Sequence, residues 1–248
     1  MTGLVVAVQF LTRLPLATRH PITTADLGRS MRWFPLVGML IGAAVALVDA
    51  ALSPVVAPPV RAVIVVVLLA AITGALHLDG LMDTCDAIFA FTTPERRLEI
   101  MRDSRVGSFA IVGAASLLLL KYTAILALPV DRHLEALVAM GGISRWAMVY
   151  ATARYPSARA EGLGASFRET VGGWELAWAS ATALVAALAA GPVGLLALLA
   201  AWAATVAAAR YTMAKIPGLS GDVYGAICEG TETLVAVLLP PLWRALGV

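Results

Sequence analysis

The chain is short of charge. Only 14% of its 248 residues are Asp, Glu, Lys or Arg, while 60% are hydrophobic; a soluble domain carries about 25% charged residues. That deficit excludes an ordinary core-and-surface protein and makes lipid the solvent for most of the chain. The net charge of +2 gives no ground for a nucleic-acid partner. Cysteine is almost missing: Cys85 and Cys228 stand far apart and form neither a disulfide framework nor a zinc pattern. The opening MTGLVVAVQFLTRLPLATRH lacks the basic start of a secretory signal, and its apolar run is too short to span a bilayer. It reads as mature sequence, an interfacial or re-entrant helix. No Ser-rich, Pro-rich or charge-run linker divides the chain, so residues 1–248 read as one integral membrane domain.

What is present is a series of apolar runs. A crossing needs about 20 mostly apolar residues, and that ruler finds candidates at Phe34–Leu52, Val60–Leu78, Ser108–Pro129, Leu134–Ala153, Trp174–Ala190, Val193–Ala209 and Thr231–Leu246. Gly191-Pro192 splits the fifth from the sixth as a turn signal. Pro240-Pro241 implies that the last is kinked or shorter than drawn. The expected fold is an all-α polytopic membrane bundle of about seven transmembrane helices.

The basic residues orient it. Arg13, Arg19, Arg29 and Arg32 precede the first span, and Arg96, Arg97, Arg102 and Arg105 follow the second. Arg154, Arg159 and Arg168 follow the fourth, with Arg210 and Lys215 after the sixth; only Arg61, Arg132 and Arg244 fall on the other side. The positive-inside rule makes the first set cytoplasmic.

HLDGLMDTCDAIFA, residues 77–90, then brings three aspartates to the cytoplasmic end of the second run. On a helix Asp79, Asp83 and Asp86 sit at about 0°, 40° and −20°, one narrow stripe. Like charges on neighbouring turns repel, and a hard divalent cation such as Mg²⁺ removes the conflict. Gly80 and Ala87 leave room for a close approach. Next comes TTPERRLEIMRDSRVGS, with Thr93 as N-cap, Pro94 at the first helical position and Gly107 at the end. On that helix Glu99 and Asp103 would share a face, with Arg102 and Arg105 beside Asp103. A cytoplasmic hairpin over about 77–107 would set Asp103 opposite the stripe, giving a four-carboxylate site for one or two metals. A lone Asp at a membrane end is commonly interfacial; three in one stripe point to function. His77 either positions a phosphate or snorkels. Arg145 and Lys121 lie inside spans, where a charge must pair or face a wet cavity. Arg145 reads as a partner of substrate or of a carboxylate, and Lys121 as a bridge to an acid or a cavity group. The basic loop around EGLG could capture phosphates, but positive-inside topology accounts for it as well.

These blocks resemble the cobalamin-5′-phosphate synthase family, also called adenosylcobinamide-GDP ribazoletransferases. HLDGLMDTCDAIFA followed by RRLEIMRDSRVGSFA carries the likeness, supported by QFLTRLP at 9–15, FPLVGMLIG at 34–42, ISRWA at 143–147, EGLG at 161–164 and LSGDVYGAICEGTE at 219–232. The resemblance implies a Mg²⁺-dependent enzyme of the bacterial inner membrane, its active-site loops cytoplasmic. It would join adenosylcobinamide-GDP to α-ribazole or its 5′-phosphate and release GMP as the ribose 3′-hydroxyl attacks the cobinamide-linked phosphorus. Asp79, Asp83, Asp86 and Asp103 would be the metal ligands; Asp83, Asp86, Asp103 and Arg105 would serve catalysis, one carboxylate acting as base. His77, Arg102, Arg145, Asp222 and Glu229 would contact substrate, with Asp222 binding the nucleoside or a second metal. A homo-oligomer or association with neighbouring pathway enzymes is a further expectation.

Two rivals fit less well. CDP-alcohol phosphotransferases follow DG with AR, whereas here LMD follows Asp79-Gly80. A metal or ion transporter would be expected to show an internal repeat, and the DGxxDxxD pattern has no second copy.

Overall fold

A computed structural model describes residues 2–16 and 21–247; Arg19, among the basic residues expected before the first span, lies outside them. The described residues are helical with no strand, their one β-like contact being a parallel bridge between Ser157 and Leu219. The helices are α1 (Thr2–Leu11), α2 (Thr24–Ser30), α3 (Phe34–Leu52), α4 (Pro58–Thr73), α5 (Leu76–Phe89), α6 (Pro94–Ile100), α7 (Ser108–Leu126), α8 (His133–Arg154), α9 (Leu163–Thr170), α10 (Gly173–Ala189), α11 (Pro192–Met213) and α12 (Gly221–Leu246).

This is a polytopic helical membrane bundle, with fewer plain spans than the sequence suggests. Thr24–Leu52, α7, α11 and α12 are long and apolar enough to cross a membrane. Two bent pairs, α4 with α5 at 91° and α9 with α10 at 97°, bring the number up to six. Helix α8 stays outside that count, yet it forms the centre of the bundle against α3, α10, α11 and α12. Most of its side chains from Ala136 to Thr152 are buried.

The α3–α8 contact shows how the centre closes. Gly38 and Gly42 stand four apart on α3 and face the backbone at Gly141 and Leu137 of α8, where a Cβ on either glycine would overlap a carbonyl group. Small residues at this spacing let membrane helices approach to backbone contact, which is how such helices gain packing energy where lipid offers no hydrophobic drive. At the far end of the same helices, Asp49 of α3 is buried 3.6 Å from Arg61 of α4 and 2.7 Å from His133 of α8.

Two boundaries differ from the sequence expectation, and both matter for the site. The run Val60–Leu78 is not one span: α4 stops at Thr73, and Gly74 and Ala75 both take left-handed conformations, φ +62° and +57°. Ala75 is the one described non-glycine with positive φ. It accepts a conformation costing about 1 kcal/mol for a residue with a Cβ, and the chain turns sharply there. The acidic segment is therefore a helix of its own rather than the tail of a span. Gly221-Asp222, expected in a loop before Thr231, instead opens α12, with the Ser220 hydroxyl accepting from the Val223 N–H at 3.3 Å. The Gly191-Pro192 turn falls where expected, between α10 and α11.

Replacing Gly38 by Val should lower the unfolding temperature markedly, since overpacking costs about 1–3 kcal/mol even where neighbours can shift and here the neighbour is backbone. Gly230→Ala, with nothing near its added methyl, should be neutral. Thermal unfolding of both variants in the same lipid checks the contrast.

Candidate active site

Helices α5 and α6 form the expected hairpin, and a buried arginine closes it. Arg97 of α6 donates to the carbonyls of Ala87 and Ile88 at 2.6 and 2.7 Å, satisfying orphan acceptors at the α5 C-terminus. Thr93 caps α6 by accepting from the Arg96 N–H at 3.4 Å, and Pro94 follows it. The helix then ends at Ile100, short of the expected Gly107. A tight turn, Asp103 N–H to the Ile100 carbonyl, follows, and the Asp103 carboxylate accepts from the Arg105 backbone N–H at 3.1 Å. Aspartate competes with helix by such local bonds. Asp103 thus sits in a loop and shares no helix face with Glu99, which pairs with Arg96 at 2.6 Å. Gly107 caps the start of α7.

The stripe and this loop line one cleft of about 300 Å³, holding Asp79, Asp83 and Asp86 from α5 with Arg102, Asp103 and Arg105 opposite. The four acids share a cleft without sharing a role. Asp86 accepts from the backbone N–H groups of Gly107 at 2.6 Å and Ala110 at 2.8 Å, so it caps α7 from 21 residues away. Asp103 is gripped by the guanidinium of Arg105 at 2.7–3.2 Å, and these bonds hold its carboxyl down at about 2. Asp79 and Asp83 have no ion-pair partner among the described residues.

A further acid joins them from α12. Gly80 leaves a gap that the Asp222 backbone fills: a Cβ at Gly80 would lie 2.7 Å from the Asp222 carbonyl oxygen. The charges of Asp79, Asp222 and Asp86 all bear on half-buried Asp83, against one nearby cation, Arg159, which stands 3.6 Å from Asp222. The close approach that Gly80 permits is thus to another helix of the chain. Among the described residues no three His, Cys, Asp or Glu side chains converge as a ready-made metal cage, so the four-ligand set Asp79, Asp83, Asp86 and Asp103 is not assembled as expected. Two of its members already answer N–H groups. Asp79, Asp83 and Asp222 remain as hard oxygen donors with little countercharge. That suits Mg²⁺, which typically takes one or two carboxylates and completes its shell with water and substrate phosphates.

Beside the cleft lies a second pocket of about 260 Å³. Phe10, Phe34, Phe167 and Met148 supply apolar wall; His77, Thr152, Arg159 and Asp222 are among the polar groups. Asp79 lines both spaces.

Arg145 and Glu229, expected at substrate, line neither space. They belong to a buried network in which Lys121 of α7 bridges Glu229 at 2.5 Å and Glu232 at 2.8 Å, and Arg145 of α8 pairs with Glu232 and donates to the Ser144 hydroxyl. Charges at this depth are tolerable only when paired and hydrogen-bonded. His77 adjoins the network, fully buried, with neither ring nitrogen partnered. The sequence reading gave the basic loop that holds Arg159 either phosphate capture or topology and singled out no aromatic for the site; the fold brings Arg159 to Asp222 and three phenylalanines from distant segments to one wall.

The model of the cobalamin-5-phosphate synthase family matches residues 3–240. The chain belongs to that family. Relatives named adenosylcobinamide-GDP ribazoletransferase include those of Roseiflexus sp. (strain RS-1), 39% identical over 94% of this chain and 87% of that protein, and of Synechococcus elongatus, 39% identical over 95% of each. That of Geotalea daltonii is 37% identical over 94% of this chain and 95% of its own length. No solved structure matches. In this family member, then, the cleft is built on a short acidic helix and the bundle is pinned by four buried charges.

Lys121→Met leaves two buried carboxylates short of a cation and should cost about 3–5 kcal/mol. Lys121→Arg should recover part of that. Thermal unfolding in detergent or nanodiscs measures both.

Proposed function

We propose that the chain is an adenosylcobinamide-GDP ribazoletransferase, joining adenosylcobinamide-GDP to α-ribazole or its 5′-phosphate and releasing GMP. The observation that carries the reading is the cleft itself: two carboxylates without ion partners, Asp79 and Asp83, face a loop bearing Arg102 and Arg105. That combination suits a pyrophosphate, whose transfer chemistry is mostly positioning and charge neutralisation. The names of the relatives supply the identity of the pyrophosphate.

In the reaction the ribose 3′-oxygen bonds to the cobinamide-linked phosphorus while the bond from that phosphorus to the GMP oxygen breaks in line. Asp79 and Asp83, with Asp222 close by, would hold Mg²⁺, which would supply charge neutralisation on the phosphate oxygens. Asp79, at the junction of the two spaces, is placed to take the hydroxyl proton. Arg102, exposed and outside every ion pair among the described residues, is the guanidinium free to fork onto phosphate. Arg105 keeps Asp103 ionised and the loop folded over the cleft. Asp86 acts one step back, by anchoring α7 beneath that loop. The gathering of the basic residues Arg96, Arg102, Arg105 and Arg159 at this end supports a cytoplasmic cleft under the positive-inside rule.

The test is GMP release and coupled corrinoid from purified protein in lipid, with adenosylcobinamide-GDP, α-ribazole 5′-phosphate and Mg²⁺. Chelation should abolish turnover, and Asp83→Asn should lower kcat by about 10²-fold or more. Turnover that survives both would contradict the proposal.

A further inference from the structure

The second pocket has a composition that phosphate chemistry does not call for. One wall is aromatic: Phe10 of α1 stacks on Phe34 of α3 with centroids 5.6 Å apart, and Phe167 of α9 meets both edge-on at 4.9 and 5.8 Å. The other walls come from α5, α8 and α12, with Met148, Thr152 and Tyr224. Gly164 and Gly221 bring α9 and α12 together here, where a Cβ on Gly164 would lie 2.9 Å from the Gly221 nitrogen. The pocket therefore offers a largely apolar wall with a few polar groups, and it shares Asp79 with the acidic cleft.

We infer that this pocket seats the base of the acceptor: a flat bicyclic aromatic ring bearing ring nitrogens, packed against the wall that Phe10, Phe34 and Phe167 form. The attached ribose then reaches past Asp79 into the cleft where the pyrophosphate lies. The inference rests on the ribazoletransferase reading and deepens it, by dividing the two substrates between two spaces that share one residue. Guanine, the other bicyclic base in that reaction, carries polar groups on most of its edge. It is served worse by walls of phenylalanine and methionine than by the open cleft.

The distinguishing experiment is a labelling measurement that does not depend on turnover. Ser157 lines the cavity, and both native cysteines are buried. In Ser157→Cys protein in nanodiscs, maleimide labelling should slow several-fold with α-ribazole and remain unchanged with GDP. Steady-state kinetics of Phe167→Ala should show KM for α-ribazole raised by up to about tenfold, the worth of one aromatic contact, with KM for adenosylcobinamide-GDP unchanged. Protection by GDP and not by α-ribazole would give the cavity to the donor and overturn the inference. A Phe167→Ala effect on the donor alone would overturn it equally. Protection of Ser157→Cys protein by α-ribazole, with a wild type that releases no GMP, would leave the pocket assignment standing and remove the proposed reaction.

Discussion

At the crossing of α5 and α12, Gly80 has no side chain and the backbone of Asp222 takes up the space, 2.7 Å from where a Cβ would stand. One turn away Gly225 does the same for α5, with a Cβ position 3.1 Å from the His77 carbonyl oxygen. The candidate site depends on this contact. It brings Asp222 against Asp79 and Asp83, draws Arg159 in to face Asp222, and sets α12 as a wall of the second pocket. Were the helices spaced by ordinary side chains, the acids would be scattered over separate surfaces.

Holding like charges together needs support from elsewhere in the bundle, and the buried network provides it. Lys121, Arg145, Glu229 and Glu232 balance in charge and tie α7 and α8 to α12. In a low-dielectric interior each charge is costly alone, so the set holds its geometry. Helix α12 is thereby fixed at its middle by ion pairs and at its start by backbone contact with α5. The hairpin side is fixed by Arg97 and by Asp86, one capping the end of α5 and the other the start of α7.

Much of this was legible in the sequence, because it rests on local patterns. The 79/83/86 stripe, the Thr93-Pro94 helix start and the Gly191-Pro192 turn depend only on helix period and turn chemistry. The break at Gly74-Ala75 was not legible: hydropathy runs smoothly through it, and a left-handed alanine has no sequence signature. Asp86 looked like its two neighbours in the stripe, since its partners lie 21 and 24 residues on. Arg145 in a span pointed to a pair or a wet cavity, and only the fold shows that Glu232 answers it. The second pocket was beyond reach for the same reason, as its walls come from six helices spread over the whole chain. The Gly38-xxx-Gly42 spacing, by contrast, was there to be read as a close helix contact.

The central claim is that backbone contact between α5 and α12 sets the reactive geometry, and Gly80→Ala tests it most directly. The added methyl would push the helices apart at Asp222. Adenosylcobinamide-GDP turnover by this variant should fall by at least about tenfold in kcat, in protein that remains folded in lipid with an unfolding temperature lowered less than in Gly38→Val. Undiminished kcat in Gly80→Ala would contradict the account.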